Sequence, residues 1–230
     1  MMKKLNCKQL TKKLVFFFLG LWIIQTGVAI FIGTNIGSDP FTVFTQGLAD
    51  VIGITPGIGN MIITFTFLVI ILIVERRYIN IGTVLAMFAA GPFIDLMIRF
   101  FEPFNFSQYN LIVKMILLAV SCIIIAIGFS LLKATELGVS PNDVIPFILS
   151  DKSKKEYRVV RMCLDATFLI VGFFLGGVVG VGTIIAALLT GPSIQFFMPK
   201  LENIVHKFIY TSDELEARKN QIAQEVVETN

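Results

Sequence analysis

Residues 37–43 read Gly37-Ser38-Asp39-Pro40-Phe41-Thr42-Val43 and interrupt the chain just after its first long apolar run. A similar stretch, Gly138-Val139-Ser140-Pro141-Asn142-Asp143-Val144, follows about a hundred residues later. The glycine, the proline and the final valine of the two stretches match at one offset of 101. Two later pairs, Gly82-Thr83 and Gly91-Pro92, recur as Gly182-Thr183 and Gly191-Pro192 at an offset of 100. Similar blocks at a nearly constant spacing indicate an internal duplication.

The composition indicates an integral membrane protein. Of the 230 residues, 55% are hydrophobic and 15% are charged, and the mean hydropathy is +0.81. Soluble proteins carry ~25% charged residues. Several apolar runs approach the ~20 residues that cross a bilayer as a helix, so the lipid bilayer is the first expected partner. The net charge of +3 comes from short basic clusters beside these runs, so it does not indicate nucleic-acid binding.

The apolar runs predict an all-α fold with six transmembrane spans. A shorter segment follows the first span and another follows the fourth, at 41–52 and 142–149. Both are too short to cross a membrane, so they are predicted to be broken, interfacial or re-entrant helices. The six predicted spans are about 14–36, 58–74, 81–101, 111–132, 159–176 and 181–198.

The basic clusters predict the orientation of the spans. They lie in residues 1–13, after the second span, between the fourth and fifth spans, and after the sixth. The positive-inside rule places these segments, and hence both termini, in the cytoplasm. The repeats 14–101 and 111–198 then hold three spans each, so the second repeat inserts upside down, as in many secondary transporters. Residues 199–230 are predicted to be a cytoplasmic tail with a soluble helix at 212–228.

With the duplication in place, the sequence resembles the YczE/YyaS/YitT-type family of small bacterial membrane proteins over roughly residues 14–198. The resemblance implies a multi-pass protein of the bacterial plasma membrane. The biochemistry of that family is largely uncharacterised, so the resemblance implies no particular substrate. It rests on the Gly-x-x-Pro break in both halves, Arg158-Val159-Val160-Arg161, the stretch from Gly172 to Gly176-Gly177, and Gly180-Val181-Gly182-Thr183 leading to Gly191-Pro192.

Both breaks contain the residues that begin a helix. A polar residue, Asp39 or Ser140, stands directly before a proline, as expected at a helix N-terminus. One interpretation is that these residues only start the two short helices. The other is that each N-terminus, with its partial positive charge, faces a cavity and helps to hold a ligand. In that case Thr42, Asn142 and Asp143 are expected to line the sites.

The predicted depth of the breaks is the membrane interface. A helix that starts at Leu14 has risen ~34 Å by Gly37, at about 1.5 Å per residue. The hydrocarbon core is only ~30 Å thick. The first break is therefore predicted at the outer interface and its repeat at the inner one, where each is a hinge and a cap.

Charged residues inside the predicted spans are the strongest candidates for a site. Asp165 follows Arg161 by four residues, so the two share a helix face and can pair. An ionisable residue at membrane depth indicates function by default, although an ion pair that locks the bundle is the alternative. Asp95 and Arg99 form a second predicted pair, near the outer end of the third span. The candidate substrate-binding residues are Asp39, Thr42, Asn142, Asp143, Arg161 and Asp165.

Small residues at a four-residue spacing predict close packing of helices. Two such sets lie in the third and sixth spans, which are predicted to pack together about the pseudo-two-fold axis. A third set begins in the fifth span. The three sets are Gly82, Ala86 and Ala90; Gly182 and Ala186; and Gly172, Gly176 and Gly180.

No enzyme, metal or cofactor is expected. Three scattered cysteines and the single histidine, His206, form neither a disulfide framework nor a metal motif. The chain also lacks a phosphate-binding loop and a nucleophile with a nearby base. Two hypotheses stay open. The first is a transporter of a small solute or ion, and the second is a non-transporting accessory protein that acts as a homodimer or with a membrane partner.

Overall fold

A computed structural model describes residues 7–210, which form an all-helical protein with eight α-helices. Short 3₁₀ turns at 76–78, 102–104 and 106–108 lie in the connections, and no strand occurs within 7–210. The all-α class predicted from the sequence is confirmed. The helices are α1 Cys7–Thr34, α2 Pro40–Ile52, α3 Pro56–Val74, α4 Ile81–Phe101, α5 Leu111–Ala134, α6 Pro141–Ser153, α7 Tyr157–Phe174 and α8 Val181–Ile209.

Within residues 7–210, five helices are long and apolar enough to cross a membrane, namely α1, α3, α4, α5 and α8. The α7 helix has 18 residues but carries Arg158, Arg161 and Asp165. The α2 and α6 helices have 13 residues each, too few for a hydrocarbon core of ~30 Å. This set of helices supports a membrane protein, as the composition predicts.

The α1 helix begins earlier than predicted. It starts at Cys7, so residues 7–13 of the predicted basic segment are helical and continuous with the first predicted span. The Lys13 side chain is buried, and its Nζ lies 3.1 Å from a carboxylate oxygen of Glu136. Lys13 is therefore held inside the bundle by an ion pair, and it does not mark where α1 begins.

The α8 helix ends later than predicted. It continues past Pro199 to Ile209, because Val205 and Ile209 pack against Leu131 and Ala134 at the end of α5. The first part of the predicted tail is therefore helix. The soluble helix predicted at 212–228 lies outside the described residues.

Glycines let α1 and α5 cross closely at the centre of the bundle. A Cβ added to Gly20 would lie 2.8 Å from the carbonyl oxygen of Gly128, and one added to Gly128 would lie 2.7 Å from that of Gly20. Only residues without side chains allow backbones to approach so closely. The central pair is therefore α1 with α5, whereas α4 packs on α1 and α8 packs on α5.

The small residues of α4 and α8 face these two central helices. Ala86 and Ala90 lie in a buried cluster with Phe17 of α1. Ala186 lies in a buried cluster with Leu118 of α5. The prediction that α4 and α8 pack together as the central pair is therefore wrong, because each small-residue face is covered by α1 or α5.

Each break docks on the first turn of a helix from the other half of the chain. The backbone N–H of Gly182, in α8, donates to the carbonyl oxygen of Ile36 at 2.8 Å. The N–H of Gly82, in α4, donates to the carbonyl oxygen of Leu137 at 2.8 Å. The same contact thus occurs twice, between residues that the sequence offset relates.

Left-handed backbone conformations turn the chain back after α1 and after α5. Asn35 and Glu136 have φ of 52° and 57°, and Gly37 and Gly138 have φ of 110° and 121°. A Cβ on either glycine would also clash with the first turn of α8 or α4. Glycine is needed at both positions because it alone fits the angle and the space.

The reversal carries the start of each short helix back beside the body of the bundle. Phe41, in the first turn of α2, packs with Ile63 and Phe67 in the middle of α3, and the Phe41–Phe67 ring centroids are 6.4 Å apart. Asp143, in the first turn of α6, pairs with Arg161 of α7. Counting the rise of α1 alone leaves out the chain that runs back from its end into the bundle. The depth of the breaks in the membrane stays a prediction.

The far ends of α2 and α6 lie at opposite ends of α3. Residues 53–55 join α2 directly to the start of α3. The Lys152 ammonium near the end of α6 donates to the carbonyl oxygen of Val74, the last residue of α3, at 3.5 Å. The two short helices therefore diverge from a shared middle region, and their N-termini face it.

Candidate functional site

A cluster of charged side chains lies where α6 meets α7. The Arg161 guanidinium donates from Nη1 to Asp143 at 3.0 Å and from Nε to Asp165 at 3.2 Å. Each of the three side chains is between 19% and 33% exposed, so the cluster is partly shielded from its surroundings. Asp165 and Arg161 come together through their helical spacing, whereas Asp143 is brought in by the fold of α6 against α7.

Asp39 joins this cluster from the other half of the chain. Its carboxylate caps α2 by accepting the backbone N–H of Thr42 at 3.2 Å. The residue is partly buried and lies close enough to interact electrostatically with Arg161, Asp143 and Asp165. Residues from both breaks therefore lie near one another in a region that we call the aspartate–arginine cluster: Asp39, Asp143, Arg161 and Asp165.

Asn142 is the predicted site residue that the structure leaves apart from this cluster. It is partly buried in the first turn of α6. Within residues 7–210, its side chain forms no hydrogen bond or ion pair with the cluster. Ser140 begins α6 but likewise makes no side-chain cap bond there.

The first half of the chain has uncharged residues at the positions equivalent to the cluster. At the offset of 101, Thr42, Asn60 and Thr64 correspond to Asp143, Arg161 and Asp165. The three uncharged residues are buried. The Asn60 side-chain oxygen has no hydrogen-bond partner within the described chain. Sequence reasoning missed Thr64, although the offset of 101 pointed to it. The charged residues of the cluster are thus concentrated in one half of the pseudosymmetric arrangement.

Three glycines bring α2 against the end of α7. A Cβ on Gly172 would lie 2.7 Å from the Cα of Phe44, and one on Gly47 would lie 2.6 Å from the carbonyl oxygen of Gly172. A Cβ on Gly177 would meet the carbonyl oxygen of Val43. This glycine contact, formed by Gly47, Gly172 and Gly177, leaves no room for a solute between the two helices.

The predicted stripe of Gly172, Gly176 and Gly180 is therefore corrected. The α7 helix ends at Phe174, so the three glycines do not share a helix. Gly176 has φ of 93° and open space around it, and Gly180 lies directly before α8. A four-residue spacing has no meaning as a helix face once the helix has ended.

The equivalent contact in the other half uses large residues. Ile148 of α6 and Ile71 of α3 occupy the positions that correspond to Gly47 and Gly172, and both are buried in one cluster with Val144. Branched side chains hold these two helices farther apart than glycines do. The packing is therefore tight between α2 and α7 and looser between α6 and α3.

A cavity of about 350 Å³ lies beside the second break, on the looser side. This volume falls in the range of small-molecule sites. The Tyr78 hydroxyl at its edge donates to the Asp151 carboxylate, and this hydrogen bond raises the pKa of Tyr78 because the neutral phenol is the donor. The cavity reaches the first two turns of α6 and is not lined by Arg161 or Asp165. Its lining residues are Tyr78, Asn80, Lys133, Glu136, Gly138, Val139, Val144 and Phe147.

Comparison with known proteins gives the family of this chain. Residues 11–199 match the model of a family of unknown function, DUF6198. The chain belongs to DUF6198. Two relatives come from Bacillus subtilis strain 168. The uncharacterized membrane protein YczE is 30% identical over 199 residues (84% of this chain, 88% of the relative), and the uncharacterized protein YyaS is 26% identical over 190 residues (83% and 94%).

A third relative of this DUF6198 chain is an uncharacterized protein of Haemophilus influenzae, which is 25% identical over 195 residues (85% of this chain, 87% of the relative). No solved structure matches the chain significantly. The predicted resemblance to YczE and YyaS is confirmed. The DUF6198 match includes both breaks and every member of the aspartate–arginine cluster.

Asp95 of this DUF6198 protein does not pair with Arg99 as predicted. Its carboxylate accepts the hydroxyl of Thr55 at 2.6 Å and the backbone N–H of Gly57 at 2.9 Å. Both donors lie at the start of α3. Asp95 therefore caps a neighbouring helix, a role that its spacing from Arg99 could not reveal.

Proposed function

We propose that this protein is a secondary transporter of a small solute or ion in the bacterial plasma membrane. It would use six spans, α1, α3, α4, α5, α7 and α8, arranged as two inverted repeats with both termini in the cytoplasm. No catalysis is part of the proposal. The observation that carries it is the convergence of two short helices, by their N-termini, on the aspartate–arginine cluster.

Matching contacts at matching offsets support the inverted repeats. The hydrogen bond from Gly182 to Ile36 has its counterpart between Gly82 and Leu137. The left-handed residues after α1 recur after α5, and both short helices have 13 residues. The antiparallel crossing of α1 and α5, which are equivalent helices, is compatible with a two-fold axis in the membrane plane.

The charges of α7 are compatible with its being the sixth span. Its 18 residues cover about 27 Å at 1.5 Å per residue. Arg161 and Asp165 are paired with each other, and Arg161 also pairs with Asp143 on the adjacent α6. Charged residues inside a membrane protein are usually paired in this way and commonly mark an ion or substrate pathway.

The difference between the two halves supports alternating access. The glycine contact closes the space between α2 and α7, whereas a cavity is open beside α6. With the N-terminus in the cytoplasm, this arrangement would be a state that opens inward. Rocking of one repeat against the other would exchange the open and the closed side.

Reconstitution tests the proposal. Purified protein in bacterial-lipid vesicles is assayed for flux of a panel of inorganic ions, amino acids and amines. We expect flux of at least one probe, its loss in a double variant with Arg161→Met and Asp165→Asn, and its retention with Arg158→Met, which changes an exposed arginine on the same helix. Absence of flux for every probe, from vesicles whose protein retains its helical circular dichroism, would contradict transport.

One observation favours the alternative, an accessory protein that binds a membrane partner or a second copy of itself. Only 17% of the 18-residue apolar stretch of α8 is buried inside the protein, against 39–44% of the corresponding stretches in the other four candidate spans. A contact surface for another membrane helix would explain this exposure. A cysteine at Leu188, an exposed position of α8, would then cross-link to a partner in native membranes when the three native cysteines are replaced. Cross-linking together with an absence of flux would favour the accessory role.

A further inference from the structure

We infer that Asp39 is a proton-binding site and that the coupling ion of this protein is H⁺. The inference rests on the proposed transport function and names the ion that the same site handles. It follows from the charges around Asp39, from the depth at which they lie, and from the way in which each carboxylate is partnered.

Four ionisable groups lie around Asp39 on the elements packed beside it. They are one arginine, two further carboxyl groups and one thiol. The three carboxylates carry three negative charges against the single positive charge of the guanidinium. With all of them ionised, the cluster has a net charge of −2. The four groups are Asp143 of α6, Arg161 and Asp165 of α7, and Cys122 of α5.

The positions equivalent to the cluster in the first half of the chain offer no charge to balance this excess. Thr42, Asn60 and Thr64, the residues equivalent to the charged ones, are neutral. Unbalanced charge at membrane depth is unfavourable, because neither lipid nor packed helices solvate it as water does. The excess is removed when a carboxylate takes up a proton or when a cation binds.

Asp39 is the carboxylate best placed to take up the proton. Asp143 and Asp165 each form an ion pair with Arg161, at 3.0 Å and 3.2 Å. Within residues 7–210, Asp39 forms no ion pair; its hydrogen bonds come from Thr42 alone, from the backbone N–H at 3.2 Å and from the side-chain hydroxyl. A protonated Asp39 can still accept the backbone hydrogen bond, so α2 keeps its cap in both states.

A proton fits this site better than a metal ion does. Within the described chain, no three His, Cys, Asp or Glu side chains are grouped closely enough to hold a metal. Proton uptake needs only one carboxylate. In each cycle the Asp39 carboxylate would take one proton from water on one side of the membrane, changing the net charge of the cluster from −2 to −1. It would release that proton to water on the other side.

Infrared spectroscopy tests the site without a known solute. Spectra of the full-length protein in lipid are recorded between about pH 5 and pH 8, a range in which exposed carboxyl groups, with pKa values near 4, stay ionised. We expect the C=O stretch of one protonated carboxyl to titrate in this range. Asp39→Asn should remove it, and Asp50→Asn should keep it, since Asp50 is exposed at the far end of α2. Asparagine is also a good helix cap, so the variant should fold.

Two results would overturn the inference: no carboxyl that titrates in this range, or a titrating band that Asp39→Asn leaves in place. Vesicle flux separates the inference from the proposed function. Flux that an imposed pH gradient does not drive would refute proton coupling while transport stands. A titrating Asp39 in a protein with no flux for any probe would refute transport while the proton site stands.

Discussion

Replacement of Gly172 by alanine should weaken the contact between α2 and α7. The new Cβ would lie 2.7 Å from both the backbone N and the Cα of Phe44, and ordinary contacts begin near 3.4 Å. Because the neighbouring atoms belong to the backbone, no side chain can rotate away. The α2 helix has to move by several tenths of an ångström, and this movement also opens the contacts of Gly47.

The magnitude follows from two opposing effects. Overpacking of a tight contact costs about 1–3 kcal/mol. Alanine is favoured over glycine inside a helix by about 1 kcal/mol, which offsets part of that cost. Gly191→Ala is the matched control, since Gly191 also lies inside a helix but has no atom within 4 Å of an added Cβ. Both variants replace a helical glycine, but Pro192 disfavours a Cβ at residue 191, so the difference between them gives a lower bound on the cost of the contact.

The assay is reversible unfolding of the purified protein in mixed micelles, followed by circular dichroism. We expect Gly172→Ala to have a free energy of unfolding about 1–3 kcal/mol lower than that of Gly191→Ala. Amide exchange in α2 should be faster in Gly172→Ala as well, because its packing partner is displaced. Equal stabilities for the two variants, or unchanged exchange in α2, would refute the close approach of the two backbones.

Two further predictions concern the charged residues. Arg161→Met should lower the free energy of unfolding by about 2–3 kcal/mol, less than for a fully buried ion pair because the guanidinium is partly exposed. Adding Asp143→Asn should restore part of the lost stability. A double variant less stable than the single variant would contradict the ion pair. Asp95→Ala should cost about 1–2 kcal/mol because the start of α3 loses its cap, whereas Arg99→Met should change stability by less than about 0.5 kcal/mol. Denaturation in the same micelles measures the stability of all these variants. Similar losses for Asp95→Ala and Arg99→Met would indicate an Asp95–Arg99 ion pair and contradict the capping role of Asp95.

Local patterns in the sequence predicted the helices well. The third predicted span, 81–101, coincides with α4, and the Asp39-Pro40 pair marks the start of α2. The ends of α1 and α8 were less predictable. Lys13 and Pro199 suggested boundaries there, but contacts with α5, distant in the sequence, keep both helices going.

The candidate site was predictable only in part, for the same reason. Arg161 and Asp165 are four residues apart on a helix, so their proximity follows from helix geometry alone. The addition of Asp143 requires α6 to fold back on α7. The addition of Asp39 also requires the chain to reverse after α1 and to bring a residue from the other half of the molecule across to α7.

The sequence by itself determined that this is a helical membrane protein with an internal duplication and a helix break in each half. Hydropathy, helix caps and repeat offsets depend on residues near in the chain or on direct comparison of two segments. Only the tertiary structure decided that the breaks turn back into the bundle, that α1 and α5 form its centre, and that Asp39 lies near Arg161. These features depend on backbone angles at Asn35 and Gly37 and on close contacts between glycines of distant helices, and neither has a signature in the pattern of apolar residues.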